Sequence, residues 1–313
     1  MAQSTIGEEA QARQGALRGF GFAFMAYFFW GLMPFFMKAV AHMPAAEVVA
    51  HRVVWSVPLA GVVLMVLGRT ADVAAALRSP RTLVMAAITA TVISINWGTY
   101  VWAISVDRTV ETALGYYINP LVSIGLAALF LGEKLTRMQM AAVGLAIIAV
   151  VILTVNAGGL PWVSLVLALA FAIYGFLRKT LPIGPSQGFF LEVLLMAIPA
   201  LGYILWLEGT GQGHFFSSDT SDILLLLACG PITAVPLLLY GFGAKLLRYS
   251  TIGIMQYIAP TMIFLIAVFV FAEPFDLVRA IAFVLIWVGL ALYTLSMFQE
   301  SRKAKAAAAA PLR

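Results

Sequence analysis

Long apolar segments follow one another along almost the whole chain, and they constrain the fold more than any other feature. A helix needs about 17 to 25 predominantly apolar residues to cross a bilayer. Hydrophobic residues make up 62% of the 313 residues and charged residues only 11%, whereas soluble domains have about 25% charged residues. The sequence therefore predicts an all-α polytopic membrane protein. Its ten predicted transmembrane helices are 19–40, 46–67, 82–104, 110–131, 137–155, 160–178, 187–206, 222–243, 250–271 and 276–297.

The distribution of positive charge predicts how the chain is oriented in the membrane. If the N-terminus is cytoplasmic, the cytoplasmic segments carry 15 of the 19 lysine and arginine residues and the external loops carry three. Cytoplasmic loops of membrane proteins have such an excess, so both termini are predicted to be cytoplasmic. The net charge of +5 then reflects topology, and the scattered basic residues predict no nucleic-acid partner. The remaining basic residue, Arg52, lies within a predicted span.

The chain contains an internal repeat with an offset of 140 residues. Residues 112–154 align without a gap with residues 252–294, which superimposes Pro120 on Pro260. Each half holds five predicted spans, and an odd number turns the second half upside down relative to the first. Such inverted repeats are common in secondary transporters, with the substrate site between them. The predicted organisation is a disordered cytoplasmic N-terminus (1–17), a first five-helix repeat (18–155), a second, inverted five-helix repeat (156–298) and a basic cytoplasmic tail (299–313).

Each repeat carries a proline and a glutamate at equivalent positions of its fourth span. Pro120 and Pro260 are predicted to bend the fourth and ninth helices around a shared cavity, because a proline removes one backbone donor and clashes with the preceding turn. Glu133 and Glu273 follow these helices and come just before the next helix. A carboxylate there can accept hydrogen bonds from the free N–H groups of the following helix. We therefore predict that each glutamate fixes the hairpin to the following helix.

Several segments resemble a known family. They include "EVVAHRVVWS" (47–56), "ALGYYINPLVSIGLAALFLGEKLT" (113–136) and "GIMQYIAPTMIFLIAVFVFAEP" (253–274). With these residues the chain resembles the drug/metabolite transporter superfamily and, within it, the EamA-type, RarD-like transporters, over residues 18–298. The resemblance implies a ten-helix carrier of the bacterial inner (plasma) membrane that exports small metabolites or drugs by alternating access. It implies no particular substrate.

The motifs that the sequence lacks narrow the function further. It contains no GxxxxGK[ST] segment for ATP binding, so an ion gradient, with protons as one candidate, or the substrate gradient would supply the energy. No Cys/His spacing predicts a metal or cofactor site, and the single cysteine, Cys229, allows no internal disulfide. We predict a transporter without catalytic residues. A lipid-modifying membrane enzyme and an uncoupled, facilitative carrier are the alternatives.

Four ionisable residues in or near the spans are candidates for coupling or gating. They are Glu47, His51, Arg52 and Glu192. Glu47 and His51 are four residues apart and share a helix face, and an offset of 141 places Glu192 at the position equivalent to His51. A buried histidine or carboxylate can exchange a proton during transport. The alternative is a structural ion pair between Glu47 and Arg52 near the outer interface.

Polar and aromatic side chains within the spans are the candidates for substrate binding. Amide and phenol groups in a bilayer need hydrogen-bond partners, which a hydrated cavity supplies. Some aromatic residues would instead anchor helix ends at the membrane interface. The candidates are Trp30, Asn96, Trp97, Tyr100, Tyr116, Tyr117, Asn119, Tyr174, Tyr240, Gln256 and Tyr257.

The predicted partners are a small-molecule substrate and the lipid bilayer. Small residues in the fifth and tenth spans, including Gly144 and Gly289, allow close helix packing. These residues are also suited to a homodimer interface.

Overall fold

The computed structural model of the protein describes residues 2–131, 134–216, 219–247 and 249–309, which form helices joined by short connections. The first six helices are α1 (Ala2–Ala39), α2 (Ala45–Val66), α3 (Thr70–Leu77), α4 (Pro80–Ser105), α5 (Thr109–Leu131) and α6 (Arg137–Ala157). The remaining ones are α7 (Trp162–Thr180), α8 (Pro185–Gly209), α9 (Thr220–Leu246), α10 (Tyr249–Met255), α11 (Ile258–Leu265) and α12 (Leu277–Ala309). A π-helical turn, Ile266–Val270, continues α11.

Seven helices in the described part of the chain are long and apolar enough to cross a membrane. They lie in α1, α2, α4, α6, α8, α9 and α12. Two shorter apolar stretches, Trp162–Arg178 and Ile258–Val270, add to them. Lipid-facing helices satisfy all their backbone hydrogen bonds internally, and the described residues contain no β-strand. The prediction of an all-α polytopic membrane protein is confirmed.

Contacts between connecting segments define one end of the helix bundle, which we call the Glu47 end. The side chain of Lys38 pairs with Asp107, across two helix connections. His42 Nε2 lies 3.1 Å from Asp222 Oδ1, which joins the α1–α2 turn to the start of α9. The Glu47 end comprises the connections 40–44, 106–108, 158–161, 210–216 and 271–276.

The opposite end, which we call the Asp72 end, is held by its own polar contacts. Gln187 Nε2 at the start of α8 donates to Asp72 Oδ2 of the short helix α3 at 2.8 Å. The hydroxyl oxygens of Thr136 and Ser296 lie 2.9 Å apart and join the start of α6 to α12. The Asp72 end comprises 67–69, 78–79, 134–136, 181–184 and residue 247.

The helices pack in pairs around the middle of the bundle. Helix α2 packs against α8 and α9, α1 against α9 and α11, α4 and α5 against α7, and α6 against α12. A Cβ atom added to Gly230 of α9 would lie 2.4 Å from the carbonyl oxygen of Trp55, so glycine allows the close approach of α9 to α2. Small residues serve the α6–α12 contact in the same way, because a Cβ on Gly289 would lie 3.1 Å from the Ala142 carbonyl oxygen.

The two symmetric prolines lie in different local structures. Helix α5 is continuous through Pro120. The ninth predicted span is instead interrupted, because α10 ends at Met255 and α11 begins at Ile258. Pro260 lies in the first turn of α11. N–H groups in that turn have no partner within the helix, so the proline costs no helical hydrogen bond there. The ninth predicted span is therefore divided into two helices just before Pro260, and the predicted bending of both helices around a shared cavity stays a prediction.

Glu273 caps a different helix from the predicted one. Its two carboxylate oxygens accept hydrogen bonds from the N–H groups of Thr109 and Val110, at 2.7 and 2.8 Å, and these residues begin α5. The helix that follows Glu273, α12, is capped by Asp276, which accepts from the Arg279 N–H group at 2.8 Å. The predicted hairpin clamp is therefore wrong for Glu273, because Asp276 already serves α12 and the buried carboxylate meets the free donors of α5. The equivalent Glu133 lies outside the described residues.

Both chain ends are more helical than we predicted. Helix α1 begins at Ala2, within the segment 1–17 for which disorder was predicted, and α12 continues through the basic tail to Ala309. The first segment is rich in alanine, glutamine and glutamate and the second in alanine and lysine, residues that favour helix formation. Neither has a proline between Ala2 and Gly15 or between Gln299 and Ala309.

Candidate functional site

Arg52 is buried inside the bundle, with 4% of its surface exposed. It is about 10 Å along α2 from the first residue of that helix, at 1.5 Å per residue. Its Nε donates a hydrogen bond to Thr233 Oγ1 of α9 at 3.0 Å. The guanidinium carbon lies 4.9 Å from the centre of the Trp97 ring of α4, within the range of a cation–π interaction. Three helices therefore fix the position of this cation.

Polar and aromatic side chains from α4 and α5 lie around Arg52. The amide Nδ2 of Asn96 donates to the Leu167 carbonyl oxygen at 3.0 Å, and Tyr116 OH donates to Asn96 Oδ1 at 3.3 Å. The rings of Tyr100 and Tyr116 lie 5.8 Å apart. We refer to Arg52, Asn96, Trp97, Tyr100 and Tyr116 as the Arg52 cluster.

The Arg52 cluster contains buried polar atoms without a partner. Nη1 of Arg52 and the hydroxyl oxygen of Tyr100 are both buried, and neither has a hydrogen-bond partner among the described residues. The alternative that Glu47 neutralises Arg52 is wrong. Glu47 accepts hydrogen bonds from His214, which draws its carboxylate toward the Glu47 end.

Glu192 forms a second buried ionisable group, nearer the Asp72 end. Its Oε1 accepts a hydrogen bond from Arg178 Nη1 at 3.2 Å, and its Oε2 accepts one from Tyr174 OH at 3.1 Å. Glu192 is 2% exposed. We refer to Tyr174, Arg178 and Glu192 as the Glu192 cluster. The carboxylate of Glu192 is therefore buried between a cation and hydroxyl groups.

A narrow recess lies between α2, α4 and α8 and connects the regions of the two clusters. Trp97 of the Arg52 cluster and Glu192 both line it. Its other lining residues are mainly apolar: Val53, Ala90, Ile93, Ser94, Phe189, Val193 and Met196.

A loop covers α2 at the Glu47 end. Glu47 accepts hydrogen bonds from the backbone N–H and the ring Nδ1 of His214, both at 2.8 Å. The ring of the next residue, Phe215, lies 5.2 Å from the His51 ring and 5.6 Å from the Trp55 ring. Residues 210–216, which we call the closing loop, therefore separate this face of α2 from the surface.

His51 belongs to the closing-loop contacts and not to the Arg52 cluster. The indole N–H of Trp55 donates to His51 Nδ1 at 3.0 Å, so Nδ1 carries a lone pair and the imidazole is neutral in this arrangement. Its Nε2 is buried without a partner in the described structure.

The other predicted binding residues lie at separate places. Trp30 and Tyr240 pack together with ring centres 5.7 Å apart, between α1 and α9, and Gln256 and Tyr257 occupy the break between α10 and α11. The remaining two lie in helix interfaces: the Tyr117 hydroxyl pairs with Thr261 at 2.7 Å, and Asn119 donates to the Ala168 carbonyl at 3.1 Å.

Four residues of these contacts were not predicted from the sequence: Arg178, His214, Phe215 and Thr233. In the sequence, Arg178 indicates only a positive charge at a helix end. The "HFF" segment at 214–216 is an apolar, aromatic signal within a polar loop. Thr233 has no sequence signal, because its role depends on the approach of α9 to α2.

Comparison with known proteins gives consistent matches. The family model described as "EamA-like transporter family" matches residues 17–155. "Protein RarD" of Streptomyces exfoliatus is 42% identical over 305 residues, covering 97% of this chain and 96% of the relative. "Protein RarD" of Escherichia coli K12 is 36% identical, covering 94% of this chain and 98% of the relative. "Chloramphenicol-sensitive protein RarD" of Pseudomonas aeruginosa PAO1 is 30% identical, covering 83% of this chain and 88% of the relative.

A solved structure described only as "Crystal structure of protein" has the same fold, with a TM-score of 0.58 at 20% identity, over 90% of this chain and 98% of that chain. The helical membrane fold and the full-length sequence matches define a membrane transporter of small molecules. The chain belongs to the EamA-like transporter family and, within the drug/metabolite transporter superfamily, to its RarD-like proteins. It is a multi-pass protein of the bacterial inner membrane.

Proposed function

We propose that this protein is a secondary transporter that exports small metabolites or drugs by alternating access, through a cavity between two inverted five-helix repeats. The observation that carries the proposal is the pair of buried ionisable groups on α2 and α8, Arg52 and Glu192. Glu192 lines an apolar recess together with Trp97, whose ring lies against the Arg52 guanidinium. Ionisable residues inside a membrane are costly and mark transport pathways.

The packing of the helices supports the inverted repeat. The 140-residue offset relates α1 to α7, α4 to α9 and α5 to the α10–α11 segment. Exchanging each helix for its counterpart turns the contact between α5 and α7 into a contact between α11 and α1. Both contacts are present. The contacts α2–α8 and α6–α12 each join a helix to its own counterpart. This exchange of partners is expected of a pseudo-twofold axis.

Proton coupling is proposed at Glu192. Its carboxylate faces both a cation and a phenol, so protonation and the loss of the Arg178 ion pair are linked. A proton that enters on one side and leaves on the other would drive export against a gradient. His51 is the second candidate, although its bond from Trp55 must break before both ring nitrogens can carry protons.

The closing loop supports alternating access. The Glu47–His214 bonds and the Phe215 ring contacts join the closing loop to α2 at the Glu47 end. In the proposed cycle, release of this loop opens the site toward the Glu47 end, which the charge distribution assigns to the outside.

The proposal is tested with everted membrane vesicles incubated with an extract of cell metabolites. A proton gradient is imposed, and mass spectrometry identifies the compounds that accumulate only when the protein is present. The proposal predicts a defined set of compounds whose accumulation stops when an uncoupler is added. Accumulation that equilibrates without a gradient would indicate a facilitative carrier, and no difference from vesicles without the folded protein would contradict transport.

A further inference from the structure

We propose that the Arg52 cluster binds the carboxylate of the transported compound, and that the substrates are aromatic or otherwise apolar organic monoanions. This inference rests on the proposed transport function and names its substrate class.

The charge balance of the buried groups is the first argument. Three buried carboxylates occur in the described chain, and each has its own partners: Glu47 has His214, Glu192 has Arg178 and Tyr174, and Glu273 has the N–H groups that begin α5. Arg52 has a neutral hydroxyl and an aromatic ring. A buried guanidinium without an anion is unfavourable, so its retention inside the membrane is explained if a ligand brings the missing negative charge.

The hydrogen-bonding capacity is the second argument. Arg52 Nη1 and the Tyr100 hydroxyl are buried donors without a partner in the described structure. A carboxylate has two oxygens that accept hydrogen bonds, and guanidinium binds it with well-matched geometry. An ammonium group would meet a like charge at this position and could not accept a hydrogen bond from Arg52 Nη1.

The surroundings set the rest of the substrate. A single cation neutralises one negative charge, which favours a carboxylate over a doubly charged phosphate in a site of low polarity. The Trp97 ring contacts the guanidinium and also lines the recess. We place the apolar body of the substrate beside Trp97, among Val53, Ile93 and Phe189, once the helices move apart to admit it.

The test is equilibrium binding by calorimetry to the purified full-length protein in lipid nanodiscs. The probes are benzoate, phenylacetate and indole-3-acetate, each compared with its amide and with the corresponding amine. We expect at least one carboxylate to bind at least 10-fold more tightly than its amide, and no amine to bind better than the amide. Arg52→Gln should weaken carboxylate binding at least 10-fold and amide binding less than 3-fold, and Arg52→Lys should recover part of the loss.

The control variant is Arg279→Gln, which removes a positive charge at the Glu47 end, where the Arg279 side chain donates to the Pro274 carbonyl. It should bind the carboxylates as the parent protein does. Each variant is compared only if its unfolding temperature and size-exclusion profile match the parent. Equal affinity for carboxylates and amides, or unchanged carboxylate binding by Arg52→Gln, would overturn the inference.

Failure of the inference and failure of the proposed function give different results. If the vesicle assay identifies only neutral or cationic compounds, transport stands and the anion site is refuted. If Arg52-dependent carboxylate binding is measured but nothing is moved across the membrane, the anion site stands and the transport function is refuted.

Discussion

At the scale of single residues, Glu192 and Arg52 divide the work of the proposed cycle. Glu192 already has its counter-charge in Arg178, whereas Arg52 has none among the described residues. The first is therefore suited to exchange a proton and the second to bind an anion. The two residues lie on different helices, α8 and α2, so in the proposed cycle a movement of one predicted repeat against the other would change the surroundings of both residues.

Replacement of Glu192 by glutamine should separate transport from coupling. The amide keeps the size of the side chain and its contact with Tyr174 but cannot take up or release a proton. We expect Glu192→Gln to exchange labelled substrate across vesicle membranes while its proton-driven accumulation falls at least 10-fold. Glu111→Gln, which loses an ion pair with Arg108 near the Glu47 end, is the matched control. Full accumulation by Glu192→Gln would rule out this residue as the coupling site.

The sequence located these two residues but not their partners. A charged residue in an apolar segment is visible in the sequence, and for this reason Arg52 is a predicted site residue. Glu192 is predicted because it lies 141 residues after His51, at the equivalent position of the second repeat. The alternative of an ion pair between Glu47 and Arg52 is wrong because each side chain has a partner from a distant segment, His214 and Thr233. The aromatic segment at 214–216 is visible in the sequence, but its contact with α2 is not, and the Thr233 contact depends on how α9 packs against α2.

At the scale of helices and their connections, Glu273 joins the two predicted repeats. It accepts two backbone hydrogen bonds at the start of α5, and bonds to a charged group contribute roughly 1.5–3 kcal/mol each. Glu273→Gln should therefore destabilise the protein by about 2–4 kcal/mol and lower its unfolding temperature in detergent. Asp276→Asn, which alters the exposed cap of α12, should cost well under about 1 kcal/mol, because asparagine caps a helix about as well as aspartate. A larger effect of Asp276→Asn would contradict the importance of the contact between Glu273 and α5.

The contact between α2 and α9 depends on Gly230. A methyl group there would lie 2.4 Å from the Trp55 carbonyl oxygen, so Gly230→Ala should force the helices apart and cost about 1–3 kcal/mol, as overpacked cores do. Because α9 also supplies Thr233 to Arg52, substrate affinity should fall as well. Gly241→Ala is the control in the same helix, since no atom lies within 4 Å of its added methyl group. Thermal unfolding and substrate affinity of the two variants should differ clearly, and equal values would contradict this packing.

The sequence predicts the repeat, but it does not predict the helix structure around the two equivalent prolines. Pro120 and Pro260 align at an offset of 140 residues, yet α5 is continuous and the equivalent segment is divided into α10 and α11. A proline forbids one hydrogen bond, and its position relative to the helix start decides whether a bond is lost at all. The sequence contains the proline but not the point at which the helix begins.

At the scale of the whole molecule, the charge distribution predicts that the Asp72 end faces the cytoplasm. Single cysteines at Arg69 and Thr210, both exposed, mark the two ends in a protein whose own Cys229 is replaced by serine. In intact spheroplasts a membrane-impermeant maleimide should label Thr210→Cys, and it should label Arg69→Cys only after the membrane is permeabilised. The reverse pattern would invert the topology and with it the proposed direction of export.

The central claim is that the site is open to one side at a time, with the closing loop shutting the Glu47 end. The most direct measurement is transport by a Glu47→Cys, His214→Cys double variant lacking Cys229, before and after treatment with a short bis-methanethiosulfonate, which joins the two thiols through disulfide bonds. The native side chains are in contact at 2.8 Å, so the reagent should join α2 to the loop. We predict that transport stops when the cross-link forms and returns when a reductant breaks it, while each single-cysteine variant is unaffected by the reagent. Undiminished transport by the fully cross-linked protein would contradict the account.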